Sequence, residues 1–167
     1  MPIPLPPIVA LEDTVLALDP GKFTGLALIQ PHVSTHVLSS ELDVDAVVSA
    51  FQKIRDHVGH QHLEVVMEAF TISERTIKTA LSLDALDLIG YVKLSCTTAG
   101  IPFKLQLPAQ AKSFATDSKL KAIGWYDRTP DGHKNDALRH LLVYMINTYS
   151  DWSSEHIIPA LAKELLV

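Results

Sequence analysis

A histidine and an aspartate stand three residues apart at the start of a long apolar segment near the end of the sequence. They are His133 and Asp136 in "DGHKNDALRHLLVYM", residues 131–145. On a helix, residues at this spacing are neighbours on one face. An imidazole and a carboxylate in that arrangement could both reach a single divalent ion, provided that other elements bring further ligands to the same place.

Two further carboxylates stand at the ends of predicted strands. Asp19 ends the apolar run "TVLALD" directly before a Pro-Gly turn, and Glu68 ends "LEVVME". If these strands are parallel neighbours, their carboxyl ends meet, and two facing acids are unfavourable without a cation. Asp19 alone could be a turn cap. Glu68 follows a nearly continuous apolar run, so we expect it to be paired or functional.

The helical wheel of residues 131–145 leaves a second interpretation open. His133, Asp136 and His140 lie roughly opposite an apolar stripe, so they could form a plain solvated face. A site here requires that this polar face turn inward at the first turn. Repulsion among the acids also predicts that Asp136→Asn melts no lower than the wild-type chain in chelator. The apolar stripe is formed by Leu138, Leu141, Leu142 and Met145.

The elements that position these residues follow from hydrophobic period and turn signals. Two apolar runs separated by "PGK", and the half-polar "HVSTHVL" after them, predict a three-stranded antiparallel meander. Strands and helices alternate afterwards, which predicts a parallel part of the sheet. The expected fold is α/β, a mixed five-stranded sheet flanked by helices. The predicted strands are 14–19, 23–30, 32–38, 63–68 and 102–107, and the predicted helices are 44–58, 75–99, a short one from Pro108 to Lys112, 119–123, and two that begin near Asp131 and Ser154.

Length and composition favour one compact domain. The chain has 167 residues, 47% of them apolar and 20% charged, which argues against disorder. Four prolines among the first seven residues predict an extended tail over 1–12, followed by a single domain over 13–167. One cysteine excludes an internal disulfide and fits a reducing compartment. Without a long apolar run or a signal peptide, we expect a cytoplasmic protein with no membrane partner.

The chain is acidic overall, but its basic residues are concentrated in one segment. A net charge of −5 argues mildly against a nucleic-acid partner. Residues 104–139, however, carry seven basic and four acidic side chains, a local charge of +3. Asymmetry of this size also arises by chance in acidic proteins, so charge alone leaves both interpretations open.

Four segments, in order, resemble one protein family. The segment "VLALDPGKFTGLALI" resembles the opening hairpin of the RuvC family of Holliday junction resolvases, and "VVMEAF" resembles its second motif. The segment "LPAQAK" resembles its Pro-x-x-x-Lys segment, and "HKNDALRHLL" its last acidic helix motif. Together they span residues 14–145. The turn after Asp19 and the segment between Lys112 and His133 are shorter than in common bacterial members, so the compact phage-encoded branch is the most similar.

The resemblance implies an RNase H-like fold, a homodimer and metal-dependent nicking of branched DNA. It implies metal-binding roles for Asp19, Glu68 and Asp136, with His133 in the fourth ligand position. Two Mg²⁺ or Mn²⁺ ions per active site are expected for in-line phosphodiester hydrolysis, and an imidazole ligand suits Mn²⁺ better. The long helix predicted at 75–99 is the expected dimer surface.

Basic and aromatic residues near these motifs are candidates for DNA contacts. Lys112, a candidate catalytic residue, and either Lys119 or Lys121 could hold phosphate near the metals, although ordinary solvated lysines would look the same. Phe70 and Tyr126 could stack on an unpaired base, although such aromatics are more often part of a core.

Three other functions remain open on the sequence. A YqgF-type relative of RuvC would cut structured RNA. A catalytically silent module would bind junctions in any divalent metal without cutting. An actin-like ATPase or sugar kinase begins with a similar phosphate loop, but it needs two lobes to enclose its nucleotide, and 167 residues supply one.

Overall fold

The sheet has five strands in the spatial order β3-β2-β1-β4-β5. The structure is a computed structural model and describes residues 8–70, 84–129 and 132–164. β1, β2 and β3 form an antiparallel meander, whereas β4 runs parallel to both β1 and β5. The predicted mixed sheet is therefore confirmed. The strands are β1 Thr14–Asp19, β2 Phe23–Ile29, β3 Leu38–Asp43, β4 Leu63–Glu68 and β5 Phe103–Gln106.

Helices cover both faces of this sheet. One face packs against α1 and α2, and the other against α5 together with the short helices around it. None of the helices in the described ranges could cross a membrane. The helices are α1 Val44–Val58, α2 Asp84–Ala99, α3 Pro108–Phe114, α4 Asp117–Ala122, α5 His133–Thr148, α6 Ser150–His156 and α7 Ile158–Glu164, and a short 3₁₀ turn spans His60–His62.

Alternation along β1 divides its side chains between the two cores. Val15 and Ala17 belong to the core under α5, whereas Leu16 and Leu18 belong to the core under α1 and α2. Successive residues of a strand point to opposite faces. Asp19 therefore continues the series that faces α5, which fixes the side of the sheet on which a site can form.

The third strand was predicted in the wrong place. The alternation of "HVSTHVL" favoured a strand at 32–38, but β3 begins only at Leu38. Pro31 stands two residues after the end of β2, and the backbone N–H groups of Val33 and Ser34 both donate to the carbonyl of Gln30. These bonds form a turn at the start of the segment, so the pairing with β2 moves later by about six residues.

Most helix predictions agree with the structure in position and differ at their ends. The helix predicted at 44–58 is confirmed with these bounds, and the short helix from Pro108 continues two residues further, to Phe114. The helix predicted at 75–99 is observed from Asp84, and residues 75–83 lie outside the described part of the chain. The predicted tail falls largely outside the described residues as well.

Candidate functional site

One row of residues crosses the sheet at the C-terminal end of β1. Asp19 pairs with Gly25 of β2, and Gly25 pairs with Glu41 of β3. On the other side, β1 and β4 run in parallel register up to the residues just before Asp19 and Glu68, so these two acids end their strands at the same level. Glu68 pairs with Gln106 of β5. The predicted meeting of two strand-ending acids is thus present, and the row extends to all five strands.

Helix α5 lies directly on this row. At Gly25 the approach is so close that a Cβ there would stand 1.9 Å from the carbonyl oxygen of His133. His133 Nδ1 lies 2.9 Å from Asp19 Oδ2, and two turns later His140 Nε2 lies 2.9 Å from Glu68 Oε2. The interpretation of this helix face as solvated is therefore wrong. The face turns inward well beyond the first turn, since His140 is fully buried.

Asp136 forms ion pairs with two basic side chains. Lys112 Nζ of α3 lies 3.1 Å from Asp136 Oδ2, and Arg139 donates to the other carboxylate oxygen. Arg139 also donates to Asp117 and to the carbonyl oxygen of Ala115. Lys112 reaches Asp136 because α3 begins directly after β5, at a proline in the first helical turn.

The other carboxylates are close enough to Asp19 to change its ionisation. The pKa of Asp19 is raised to about 6, first because the group is buried and then because of the negative charges of Glu68 and Asp136, against the opposing effect of His133. Burial lowers the pKa of His133, but the hydrogen bond and charge of Asp19, with Glu41 and Asp136, raise it above its usual value overall. The pKa of Lys112 is also raised, because Asp136, Glu68 and Asp19 outweigh burial.

Five of the predicted site residues lie close to one another. Asp19, Glu68, Asp136, His133 and Lys112 form one connected electrostatic group. The five residues thus lie in one part of the molecule, and their roles as a site remain predictions.

The candidate DNA-binding lysines have aromatic neighbours. Lys119 Nζ bonds the carbonyl oxygen of Phe114 and lies 4.2 Å from the centre of its ring. Lys121 Nζ lies 4.5 Å from the centre of the Tyr126 ring. Tyr126 also packs against the core under α5, as the alternative interpretation expected, and Phe70 is half-buried just beyond β4.

Three residues of this site were not predicted to belong to it. Glu41 lies across the row from Asp19, and its Oε2 atom is buried with no hydrogen-bond partner among the described residues. His140 and Gln106 form a hydrogen bond next to Glu68. Gln106 is the last residue of β5, but the predicted strand ended at Leu107, so the strand-end rule that found Glu68 missed it.

The donor set suits a divalent cation. As they stand, no three His, Cys, Asp or Glu side chains in the described ranges are grouped to hold a metal ion. Three observations nonetheless fit a cation: the donors are carboxylate oxygens, the charges of Glu68 and Asp136 raise the pKa of Asp19, and Glu41 has an unpaired buried oxygen. A cation would relieve both the repulsion and the unpaired oxygen.

Asp19→Asn is expected to stabilise the protein above about pH 6 when metal is removed. The folded chain raises the pKa of this carboxyl from 3.8 to about 6, so the folded state holds the proton more tightly than the unfolded state does. Stability therefore falls as pH rises through this window, by up to about 3 kcal/mol. Asparagine does not ionise, so the variant should melt several degrees higher than the wild type at about pH 8.

Thermal unfolding in EDTA at about pH 5 and about pH 8 measures this difference. At the lower pH the difference should be only about half as large, because the unfolded chain is already ionised at this position while Asp19 in the folded wild type is still mostly protonated. Asp151→Asn, an exposed position on α6, serves as the control and should show no such pH-dependent gain. A variant that melts below the wild type at the higher pH would contradict the electrostatic interpretation.

Comparisons with known proteins bear on the fold. No family model matches the sequence. No curated protein matches it either. Among solved structures, it is similar to Thermus thermophilus RuvC in complex with a Holliday junction substrate, with a TM-score of 0.62 and 17% identity over 84% of this chain and 97% of that chain.

Two other solved structures are similar. A second Thermus thermophilus RuvC structure has a TM-score of 0.56 and 15% identity over 85% of this chain and 95% of that chain. The yeast mitochondrial Holliday junction resolvase Ydc2 has a TM-score of 0.47 and 13% identity over 97% and 87%. The two RuvC matches show that the chain has an α/β fold of the RNase H-like class, as predicted. Within that class, its fold is the one seen in the two RuvC structures.

Proposed function

We propose that the protein is a metal-dependent, structure-specific endonuclease that nicks branched DNA. The observation that supports this most is the convergence of Asp19 and Glu68, which end two parallel strands, with His133 and Asp136 in the first turn of α5. The same fold occurs in a RuvC structure that contains a Holliday junction substrate. The fold alone does not specify a reaction, so the proposal depends on the acidic site.

The proposed metal ligands are Asp19, Glu68 and Asp136, with His133 beside them. Two Mg²⁺ or Mn²⁺ ions, when bound, would activate the attacking water and stabilise the leaving oxygen. Carboxylate oxygens suit both metals, and the imidazole of His133 favours Mn²⁺. Glu41 adds a buried carboxylate next to His133, so the negative charge of the site exceeds that of the three predicted acids.

Lys112 is proposed to contact the scissile phosphate. In the structure its ammonium neutralises Asp136, and 53% of its side chain is exposed. A long, half-exposed side chain can exchange one anionic partner for another at little cost. Arg139 retains Asp117 as a second partner when Asp136 turns away. Lys112 would therefore be the cation that moves to the DNA, and Arg139 the one that stays.

The proposed DNA surface continues from Lys112 over α3 and α4. Lys119 and Lys121 lie on α4, and Lys121, Tyr126 and Arg128 line one pocket. Clustered cations of this kind bind phosphates without reading sequence. Phe70, two residues after Glu68, would stack on a base exposed at the branch point, in line with its half-buried position.

A homodimer is proposed because two active sites related by a twofold axis match the symmetry of a four-way junction. The exposed side of α2 is the candidate interface, and Leu94 on this helix is 68% exposed. We propose that the protein works in the cytoplasm, which is that of the host if the gene belongs to a phage.

A panel of labelled nucleic acids tests the proposed function. Four-way junction, flap, fork, duplex and structured RNA are each incubated with Mg²⁺, Mn²⁺ or EDTA. We expect paired nicks in opposed strands of the junction with either metal, and none in the duplex or in EDTA. Asp19→Asn protein purified in parallel controls for contaminating nucleases.

Each alternative function predicts a different result in the same panel. Cleavage of structured RNA with an intact junction would favour the YqgF-type activity. Tight junction binding without cleavage in either metal would favour the catalytically silent module. Cutting of flaps or forks in preference to junctions would keep the enzyme class and change its substrate.

A further inference from the structure

A fully buried histidine connects two strand ends next to the acidic site. His140 lies on α5 with no exposed surface. Its Nε2 atom is 2.9 Å from Glu68 Oε2, and its Nδ1 atom is 2.9 Å from Gln106 Oε1. Gln106 and Glu68 pair with each other as the last residues of β5 and β4. The three side chains therefore form one hydrogen-bonded chain in the order Gln106, His140, Glu68.

The chemistry of the donors determines the direction of this chain. An ionised carboxylate only accepts hydrogen bonds, so His140 Nε2 must carry the hydrogen that is donated to Glu68. As placed, the Gln106 oxygen faces Nδ1, and its amide nitrogen is buried without a partner in the described part of the chain. If the side-chain amide of Gln106 is rotated by 180°, its nitrogen donates to His140 Nδ1 instead. Neutral His140 with hydrogen on Nε2 then donates to Glu68 and accepts from Gln106.

We propose that His140 and Gln106 are positioning residues, which fix the direction of the Glu68 carboxylate for metal binding. His140 occupies one oxygen of Glu68 and so leaves the other available to a cation. This inference rests on the proposed function, because it assigns Glu68 to the metal site. Carboxylates that bind metals are commonly held by such hydrogen bonds, and the loss of one typically lowers metal affinity by about 10- to 100-fold.

Stability alone does not explain a histidine at this position. His140 belongs to a helix whose neighbouring residues, including Ala137 and Leu141, are buried in an apolar core. Placing two ring nitrogens there has a desolvation cost that leucine would not have. The hydrogen bonds offset this cost only while both partners stay in place. The arrangement therefore orders Glu68 rather than strengthening the core.

The experiment measures Mn²⁺ binding to the protein alone and the Mn²⁺ dependence of junction nicking. His140→Leu should lower apparent Mn²⁺ affinity by about 10- to 100-fold, while its melting temperature in EDTA falls modestly, because Gln106 and Glu68 lose a buried hydrogen-bond partner. His140→Gln keeps an amide donor towards Glu68 and should restore most of the affinity. Gln106→Leu removes the support of the ring and should lower affinity by about 10-fold.

A matched control acts on the other end of the same strand. Tyr144, also on α5, donates to Glu64 of β4 over 2.6 Å. Tyr144→Phe should lower the melting temperature and leave Mn²⁺ affinity unchanged. This contrast separates a positioning effect from general loosening between α5 and β4.

The outcomes distinguish the inference from the proposed function. Wild-type protein that neither binds Mn²⁺ nor nicks a junction overturns the proposed function, and the positioning role with it. Wild-type protein that does both, with His140→Leu binding Mn²⁺ equally well, overturns the positioning role alone. Should His140→Leu fail to fold, the comparison of His140→Gln with Gln106→Leu decides, and equal affinities would overturn the inference.

Discussion

Asp19→Asn, Glu68→Gln and Asp136→Asn are each expected to slow junction nicking by at least about 10²- to 10³-fold. Each substitution keeps the size of the side chain and removes one negative charge from the group that would hold the metals. Junction affinity should stay equal or increase, because phosphate contacts from lysine and arginine supply most of it. Single-turnover cleavage and gel-shift titration measure the two quantities separately.

The control for these variants is an acid outside the site. Asp151→Asn removes a charge from an exposed position on α6 and should nick at the wild-type rate. If any of the three site variants retains wild-type nicking, that residue is not a required ligand. If all three retain it, the metal site lies elsewhere and the proposed mechanism is wrong.

The melting temperatures of these variants distinguish a loss of activity from a loss of folding. The expected change in melting temperature differs between Asp19→Asn and Asp136→Asn. Asp19 is buried among like charges, so Asp19→Asn should lose activity while gaining stability in chelator. Asp136 has Lys112 and Arg139 as partners, so its neutralisation breaks two ion pairs. The repulsion that predicted no loss of stability for Asp136→Asn is thus offset in the structure, and we now expect a modest decrease in melting temperature.

Much of the site follows from rules that hold along a single strand or helix. Asp19 and Glu68 were predicted because each ends an apolar strand, and parallel neighbours bring such ends together. His133 and Asp136 were predicted to share a face because their spacing matches the helical period. These rules use only the local sequence, so they can be applied without knowing which elements contact one another in the folded protein.

Glu41 could not be predicted because it depends on pairing between strands. A strand assigned to 32–38 places Glu41 after the sheet rather than opposite Gly25. The turn held by the carbonyl of Gln30 shifts the strand, and a shift of register decides which side chains reach a given row. No local alternation in "HVSTHVL" reveals this turn.

The burial of His140 also depends on contacts that the sequence does not reveal. The helical period placed His140 on the polar face with Asp136, and polar faces of surface helices are usually solvated. Helix α5 is instead covered on both sides, by the sheet and by the short helices α4, α6 and α7. The middle of the helix is therefore buried on both faces, and His140 on the polar face meets strand ends that offer acceptors.

Among the seven possible Gly→Ala substitutions, Gly25→Ala is expected to have the largest effect on stability. The new Cβ would stand 1.9 Å from the carbonyl oxygen and 2.3 Å from the carbonyl carbon of His133, and 3.0 Å from the amide nitrogen of Lys134. These are backbone atoms, so no side-chain rotation relieves the overlap. The first turn of α5 must move away from β2, at a cost of about 3 kcal/mol or more.

Glycine at position 90 provides the matched control for this substitution. Gly90 is exposed on α2, and a Cβ there meets no atom within 4 Å. Gly90→Ala should raise the free energy of unfolding by about 1 kcal/mol, because alanine favours a helix. The same substitution is thus expected to lower the free energy of unfolding at position 25 and to raise it at position 90. Urea unfolding of both variants measures this difference.

The effect on activity tests whether contact between α5 and β2 assembles the acidic site. Any movement that relieves the overlap at Gly25 also moves His133 away from Asp19, because His133 is the first residue of α5. A displacement of about 1 Å at a catalytic group lowers rates by about 100-fold. Folded Gly25→Ala protein should therefore bind a junction and nick it at least about 100-fold more slowly. Wild-type nicking by this variant would show that the site does not depend on how closely α5 approaches the sheet.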